Sequence, residues 1–145
     1  MKIRKFEDSD LEDLYSTLSD PEVMKYIEDP YSMEQVKEFL ADVGTCDDPR
    51  VFAAEDDAGN YVGYVIYHEY DDDSMELGWL LNKSEWGKGY ACRLTELMVE
   101  MACKAGKDAV IECDPEQIVT KHIAGKYGFT YEGEDDGCDV FRLRG

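Results

Sequence analysis

Histidine is scarce in this sequence, with only His68 and His122 among 145 residues. The five cysteines (Cys46, Cys92, Cys103, Cys113 and Cys138) are odd in number and spell no C-x-x-C. These shortages leave no Cys/His cluster with zinc-ligand spacing and no disulfide framework, so no metal is expected. The thiols read as free ones in a reducing cytoplasm. Also missing is any run approaching the roughly 20 apolar residues that a membrane span needs. The opening residues, Met1-Lys2-Ile3-Arg4-Lys5-Phe6-Glu7, are basic in part but are not followed by an apolar stretch, so no signal peptide is read there. No repeat, low-complexity tract or long linker interrupts the chain, and one domain over residues 1–145 is the expectation.

Positive charge is the other shortage. Fifteen Lys and Arg face 34 Asp and Glu, a net of −19. The deficit is uneven: residues 28–76 hold 2 basic and 15 acidic groups, a net of −13, whereas residues 77–107 hold 5 and 3, a net of +2. DNA or RNA would be repelled by nearly all of such a surface, so nucleic acid is excluded as a partner. The single positive island suits a small anionic ligand, and the acidic remainder suits a cationic one or serves solubility alone.

The periodicity predicts the order β-α-α-β-β-β-α-β-α-β-β, an α/β fold with a mixed sheet and helices on both faces. Lys2–Phe6 alternates as an edge strand, and Asp8-Ser9-Asp10 supplies cap candidates for a helix carrying Leu11, Leu14, Tyr15 and Leu18. Asp20-Pro21 begins a short helical turn through Ile27. Ser32-Met33-Glu34-Gln35 reads as a capping box for a helix that stops at Gly44. Residues 50–55 and 61–67 form a hairpin around Asp57-Ala58-Gly59-Asn60. Asp71-Asp72-Asp73 reads as a solvated turn, with a metal site as the alternative, leading into a strand over 75–81. Tyr90, Ala91, Leu94, Leu97, Met98, Met101, Ala102 and Ala105 stripe a long helix. A strand over 108–113, a helix over 115–127 and strands at 129–131 and 139–143 complete the order. The edge near Asp139 to Leu143 is expected to be available for pairing in a homodimer.

Chemistry points to the junction between the fourth strand and the long helix, Asn82-Lys83-Ser84-Glu85-Trp86-Gly87-Lys88-Gly89-Tyr90-Ala91. A two-glycine turn at a helix start leaves backbone N–H groups facing outward, where the helix dipole favours an anion. Lys83, Lys88 and Arg93 make this the positive island. A plain glycine-rich turn has the same composition. A Walker loop is excluded because Tyr90 follows Gly89, and a dinucleotide fingerprint because no third glycine follows Gly89 at the required spacing.

Trp86-Gly87-Lys88-Gly89-Tyr90-Ala91 resembles the pyrophosphate-binding motif of the GNAT superfamily of N-acetyltransferases, Q/R-x-x-G-x-G/A, with Trp86 at the Gln or Arg position. Tryptophan there is familiar in the branch of the ribosomal-protein alanine acetyltransferases. Ser19-Asp20-Pro21-Glu22-Val23-Met24-Lys25-Tyr26-Ile27 and Glu76-Leu77-Gly78-Trp79-Leu80-Leu81 are similar to that branch as well. So is Thr120 to Lys126 with Tyr127-Gly128-Phe129, which resembles the ending S-x-R-V-L-E-K-x-G-F.

The resemblance implies acetyl-CoA as co-substrate, with Trp86, Gly87, Lys88, Gly89, Tyr90 and Ala91 at the pyrophosphate. It places the pantetheine arm along the backbone of Trp79, Leu80 and Leu81, with Cys113 and Asp114 across the gap and Gln117 where the family has an Asn. It implies Glu76 as a base acting through water. The family's thiolate-protonating Tyr aligns with Ala124, which leaves Thr120 as the acid and Tyr127 in reserve; His122 reads as a surface residue. The implied reaction is transfer of an acetyl group from acetyl-CoA to a primary amine by direct attack in a ternary complex, the acceptor being a basic small molecule or a peptide N-terminus. Two other classes remain beside it: an acetyl-CoA-binding regulatory module with little turnover, and an interaction domain whose acidic face meets a basic protein.

Overall fold

Asp10, one of the cap candidates, is drawn inward by the fold. In the computed structural model, which describes residues 1–145, this carboxylate is buried rather than exposed. It accepts two 2.8 Å hydrogen bonds from Arg4 on β1 (Lys2–Arg4) and a third from the Glu7 amide, while Arg4 also reaches Glu55 at 2.7 Å. A 3-10 turn over Asp8–Asp10 leads into α1 (Leu11–Leu18), which buries Leu14, Thr17 and Leu18, the i, i+3, i+4 face that helical spacing predicts. α2 (Met33–Phe39) starts on the expected box: Ser32 Oγ accepts from the Gln35 amide, and the Gln35 side chain accepts from the Ser32 amide.

Residues Met1–Ile66 and Trp79–Leu94 make one compact unit, and Tyr67–Gly78 with Thr95–Gly145 make a second. The first unit packs Phe6, Leu14, Leu18, Met24, Val36, Leu40 and Leu80 around Tyr64, whose ring meets Phe6 and Phe39 at 6.4 and 5.9 Å. Its strands are β1, β2 (Val51–Glu55) and the first part of β3 (Tyr61–Asp71), paired antiparallel in that order. Gly63 on β3 has no room for a side chain, since a Cβ there would stand 2.2 Å from the Leu80 carbonyl oxygen of β4 (Ser74–Leu81).

The second unit contains β5 (Asp108–Cys113), α4 (Ile118–Lys126), β6 (Thr130–Asp135) and β7 (Cys138–Leu143), and most of α3 (Tyr90–Lys104). β5 runs parallel to β4 and antiparallel to β7, giving a seven-stranded mixed sheet in the order β1-β2-β3-β4-β5-β7-β6. Arg142 clamps one end of it, with ion pairs to Asp71, Asp108 and Glu132 at 3.2, 3.1 and 3.0 Å. α3 buries Leu94, Met98 and Ala102 at successive i+4 steps.

Several expectations needed correction. Residues 21–27 form consecutive turns that keep the expected helical bonding only locally, with Met24 N–H on the Asp20 carbonyl at 3.0 Å and Glu28 N–H on the Met24 carbonyl at 3.3 Å, and no longer helix develops. The helical run ends at Gly44 as expected, but without a left-handed residue: the chain opens into a π-helical turn over Leu40–Gly44, closed by Thr45 N–H on the Leu40 carbonyl at 2.8 Å. Gly44 is there for space, because a Cβ would press on Leu40 and Phe6. α4 begins at Ile118, three residues late, since Asp114 and Gln117 close a side-chain turn in front of it. It ends on bonds from Gly128 to Gly125 and from Phe129 to Ala124, the Schellman pattern. β7 lies between β5 and β6 and is not a sheet edge, so the surface expected to pair a homodimer there does not exist.

The ion pairs carry a pH consequence. Arg4 hydrogen bonds hold Asp10 below the usual carboxylate range, the Gly145 amide does the same for Asp108, and Ser74 heads the contacts that hold Asp71 at about 2. Depressed folded-state values give stability that is present above the unfolded value of about 4 and lost as pH falls toward 2. Asp13, raised by burial, works in the opposite sense. Thermal midpoints are expected to fall steeply between about pH 4 and 2, and Asp10→Asn, measured by calorimetry, should flatten that limb.

Candidate active site

The residues singled out from the sequence divide between the two units. In the first, β4 ends at Leu81, a 3-10 turn covers Lys83–Glu85, and α3 opens at Tyr90. The turn is fixed at its root. Asn82 N–H donates to the Val62 carbonyl at 3.0 Å, Glu85 N–H to the Asn82 carbonyl at 2.9 Å, and Trp86 Nε1 to the Leu81 carbonyl at 3.1 Å. Trp86 is nonetheless about half exposed, at 48%. Gly87 and Gly89 follow with φ of +79° and +82°, the left-handed region that a side chain disfavours. Space where either Cβ would stand is open, with nothing within 4 Å.

The first rung of α3 runs from Arg93 N–H to the Gly89 carbonyl at 3.2 Å, so the Gly89 and Tyr90 amides precede the helical ladder. Together with the positive end of the helix dipole, this uncrowded turn fits a diphosphate. The lysines of the positive island are locally paired. Lys83 meets Glu22 at 2.5 Å, and Lys88 meets Glu85 at 2.9 Å while lying 6.0 Å over the Tyr90 ring. The hydrogen bonds to these glutamates raise both lysine pKa values. Exposed pairs of this kind are screened by solvent and contribute little, so a phosphate can recruit either ammonium at small cost.

Leu80 and Leu81 are buried, at 7% each, and Leu80 belongs to the first unit's core. Only the backbone of this stretch is therefore available to a ligand. The β4–β5 register runs from Ser74↔Asp108 to Glu76↔Val110 and ends there, although β4 continues to Leu81 and β5 to Cys113. Glu76, on the last paired position, is partly buried, and its Oε2 lies 3.7 Å from His68 Nε2. His68 Nδ1 is 2.9 Å from the Glu69 carbonyl, which only accepts, so Nδ1 carries the proton and Nε2 faces the carboxylate.

Around this pair, Tyr70 donates to Glu112 at 2.8 Å, a bond that pushes the phenol up to about 12. His68 and Tyr70 escaped the sequence reading because β3 was expected to end at Tyr67. A strand continued to the Asp71 turn would have placed His68 beside Glu76 across the hairpin.

On α4, Thr120 is half-buried and His122 exposed, while Ala124 is fully buried. Tyr127 caps the helix and donates to Glu96 at 2.5 Å. Gln117 uses its side-chain oxygen to accept from the Asp114 amide at 2.9 Å, which leaves its side-chain nitrogen as the group to offer a ligand.

Known proteins are similar to this chain in sequence and fold. The family described as the acetyltransferase (GNAT) domain matches residues 1–130. An uncharacterised N-acetyltransferase of Bacillus subtilis, YnaD, is 27% identical over 140 residues, covering 94% of this chain and 82% of its own. The crystal structure of a GNAT-family acetyltransferase from Bacillus anthracis superposes with a TM-score of 0.81 at 25% identity, covering 97% of this chain and 90% of that one. Spermidine N-acetyltransferase from Vibrio cholerae, solved with CoA and spermine, has the same fold, with a TM-score of 0.77 at 23% identity over 97% and 92% of the two chains.

Proposed function

We propose that this N-acetyltransferase, which belongs to the GNAT family, carries an acetyl group from acetyl-CoA to the primary amine of a basic small molecule or a peptide N-terminus, by direct attack in a ternary complex. Acetyl-CoA is the family's co-substrate. The observation that carries its placement here is the pair of left-handed glycines, Gly87 and Gly89, opening α3 with clear space beside them. The diphosphate of acetyl-CoA takes the amides from Gly87 to Ala91, with Lys88 and Trp86 at its flanks. The pantetheine arm follows the backbone of Trp79, Leu80 and Leu81, and Gln117 offers it the side-chain nitrogen.

In the reaction the amine nitrogen attacks the thioester carbonyl, the C–N bond forms, and the C–S bond breaks. Glu76 takes the proton the ammonium must lose, through water, and Thr120 returns one to the departing thiolate, with Tyr127 in reserve. Reduced thiols at all five cysteines suit a cytoplasmic setting. A basic acceptor is supported by the net of −13 over residues 28–76. The polyamine acetylated by the Vibrio cholerae relative is a cation of that kind.

One observation favours a second reading, an acetyl-CoA-binding regulatory module with little turnover. Ala124, where the family's acid would stand, is fully buried and has no proton to give. Both readings are tested by free-thiol release from acetyl-CoA across polyamines, aminoglycosides, amino acids and N-terminal peptides. The enzyme reading expects release with a cationic amine, and an apparent affinity that falls as salt shortens the Debye length to about 8 Å and below. Binding of acetyl-CoA without release against any amine would establish the module instead. A neutral or anionic best acceptor, indifferent to salt, would separate the acidity from substrate choice.

A further inference from the structure

Three uncharged side chains form a hydrogen-bonded chain inside the first unit. Thr17 on α1 is fully buried, and its hydroxyl donates to Asn82 Oδ1 at 2.6 Å. The Tyr61 hydroxyl at the start of β3 lies 2.8 Å from the same Thr17 oxygen. A threonine has one proton and an amide oxygen only accepts, so the direction is fixed: Tyr61 donates to Thr17, and Thr17 donates to Asn82. Burial raises the Tyr61 pKa well above its ordinary value, which keeps that hydroxyl a donor across the working range. A longer approach of Thr17 Oγ1 to the Asp13 carbonyl, at 3.4 Å, is the weaker competitor.

Asn82 is the first residue of the loop that precedes α3. Its N–H is held by Val62 of β3 and its carbonyl receives Glu85 N–H, so backbone bonds fix its position. The side chain adds what those bonds lack, a tether from the loop root to α1. We infer that Thr17 and Tyr61 are positioning residues for the acetyl-CoA loop: they orient Asn82 and, through the turn it starts, the direction in which the Gly87-Lys88-Gly89 amides point. This rests on the reading of that turn as the diphosphate site. Neither residue touches the ligand, and the effect is geometric, since a small misplacement of aligned donors costs much of their benefit.

Thr17→Val keeps the volume and removes the hydroxyl, while Thr17→Ser keeps the hydroxyl and removes a methyl group. Acetyl-CoA affinity is measured by titration calorimetry on the full chain, with thermal midpoints of the unliganded protein alongside. Thr17→Val is expected to bind acetyl-CoA about tenfold more weakly, equivalent to about 1.4 kcal/mol, with kcat at saturation unchanged. Thr17→Ser is expected to bind like the native chain even where its midpoint falls, because the lost methyl affects packing and not orientation. Should Thr17→Val fail to fold, Tyr61→Phe, which removes only the outer hydroxyl, carries the same test in the same direction. Native affinity in Thr17→Val or Tyr61→Phe, or an affinity that tracks the midpoint across all three variants, overturns the inference. Failure of the native chain itself to bind acetyl-CoA overturns the proposed function instead.

Discussion

Gly89→Val is expected to abolish the thermal stabilisation that acetyl-CoA gives the native chain. At 100 times its dissociation constant a ligand adds about 2.7 kcal/mol to stability, a shift of several degrees in the midpoint for a domain of this length. Valine at Gly89 must hold φ near +82°, a strain of about 1–3 kcal/mol, and relieving it turns the neighbouring amides away from a common focus. No atom lies within 4 Å of the new Cβ, so the core is untouched and the unliganded fold survives. Gly106→Val is the matched control. Gly106 sits just beyond the other end of α3 with φ +72° and the same open surroundings, so it suffers similar strain without facing the turn. A scanning-fluorimetry comparison of the two, with and without acetyl-CoA, isolates the ligand effect. Stabilisation that persists in Gly89→Val would mean the diphosphate lies elsewhere.

The second large effect is expected at Glu76. Removal of a general base costs about 100 to 10,000-fold, and Glu76→Gln should lower kcat/KM within that range near neutral pH. The deficit should shrink at alkaline pH, where the acceptor arrives already neutral and needs no base. Glutamine preserves the size of the side chain beside His68, which separates loss of proton transfer from loss of packing. A uniform deficit across pH would make Glu76 a binding group and not a base. Thr120→Ala and Tyr127→Phe, assayed separately, assign the acid. Thr120→Ala is expected to be the slower, since the Tyr127 hydroxyl is already donating to Glu96. Full activity in both would leave water to protonate the thiolate.

Local features were read well from residue order alone. The Ser32–Gln35 box, the Leu94, Met98, Ala102 stripe and the two-glycine turn each depend on neighbours a few positions away, and each forms as expected. What was missed depends on residues distant in sequence. The interior position of β7 follows from its pairing with β5, some 30 residues earlier, which no local pattern encodes. The Glu76–His68 pair needed the true length of β3. The pairing of Lys83 with Glu22 crosses 61 positions, so charge counted along the chain overstated how bare the positive island is.

Gly63 bears on any attempt to re-engineer this scaffold. With only 2.2 Å between its notional Cβ and the Leu80 oxygen, the seam between β3 and β4 is closed even to alanine. Leu80 and Leu81 are thereby held at a fixed height on the sheet, ahead of the loop that their strand feeds. For a designer this glycine is a datum, a reference point from which the reach of every grafted loop or altered acyl chain is measured. Variation introduced at residues 83–89 re-aims a ligand against that reference, whereas variation at 63 moves the reference itself.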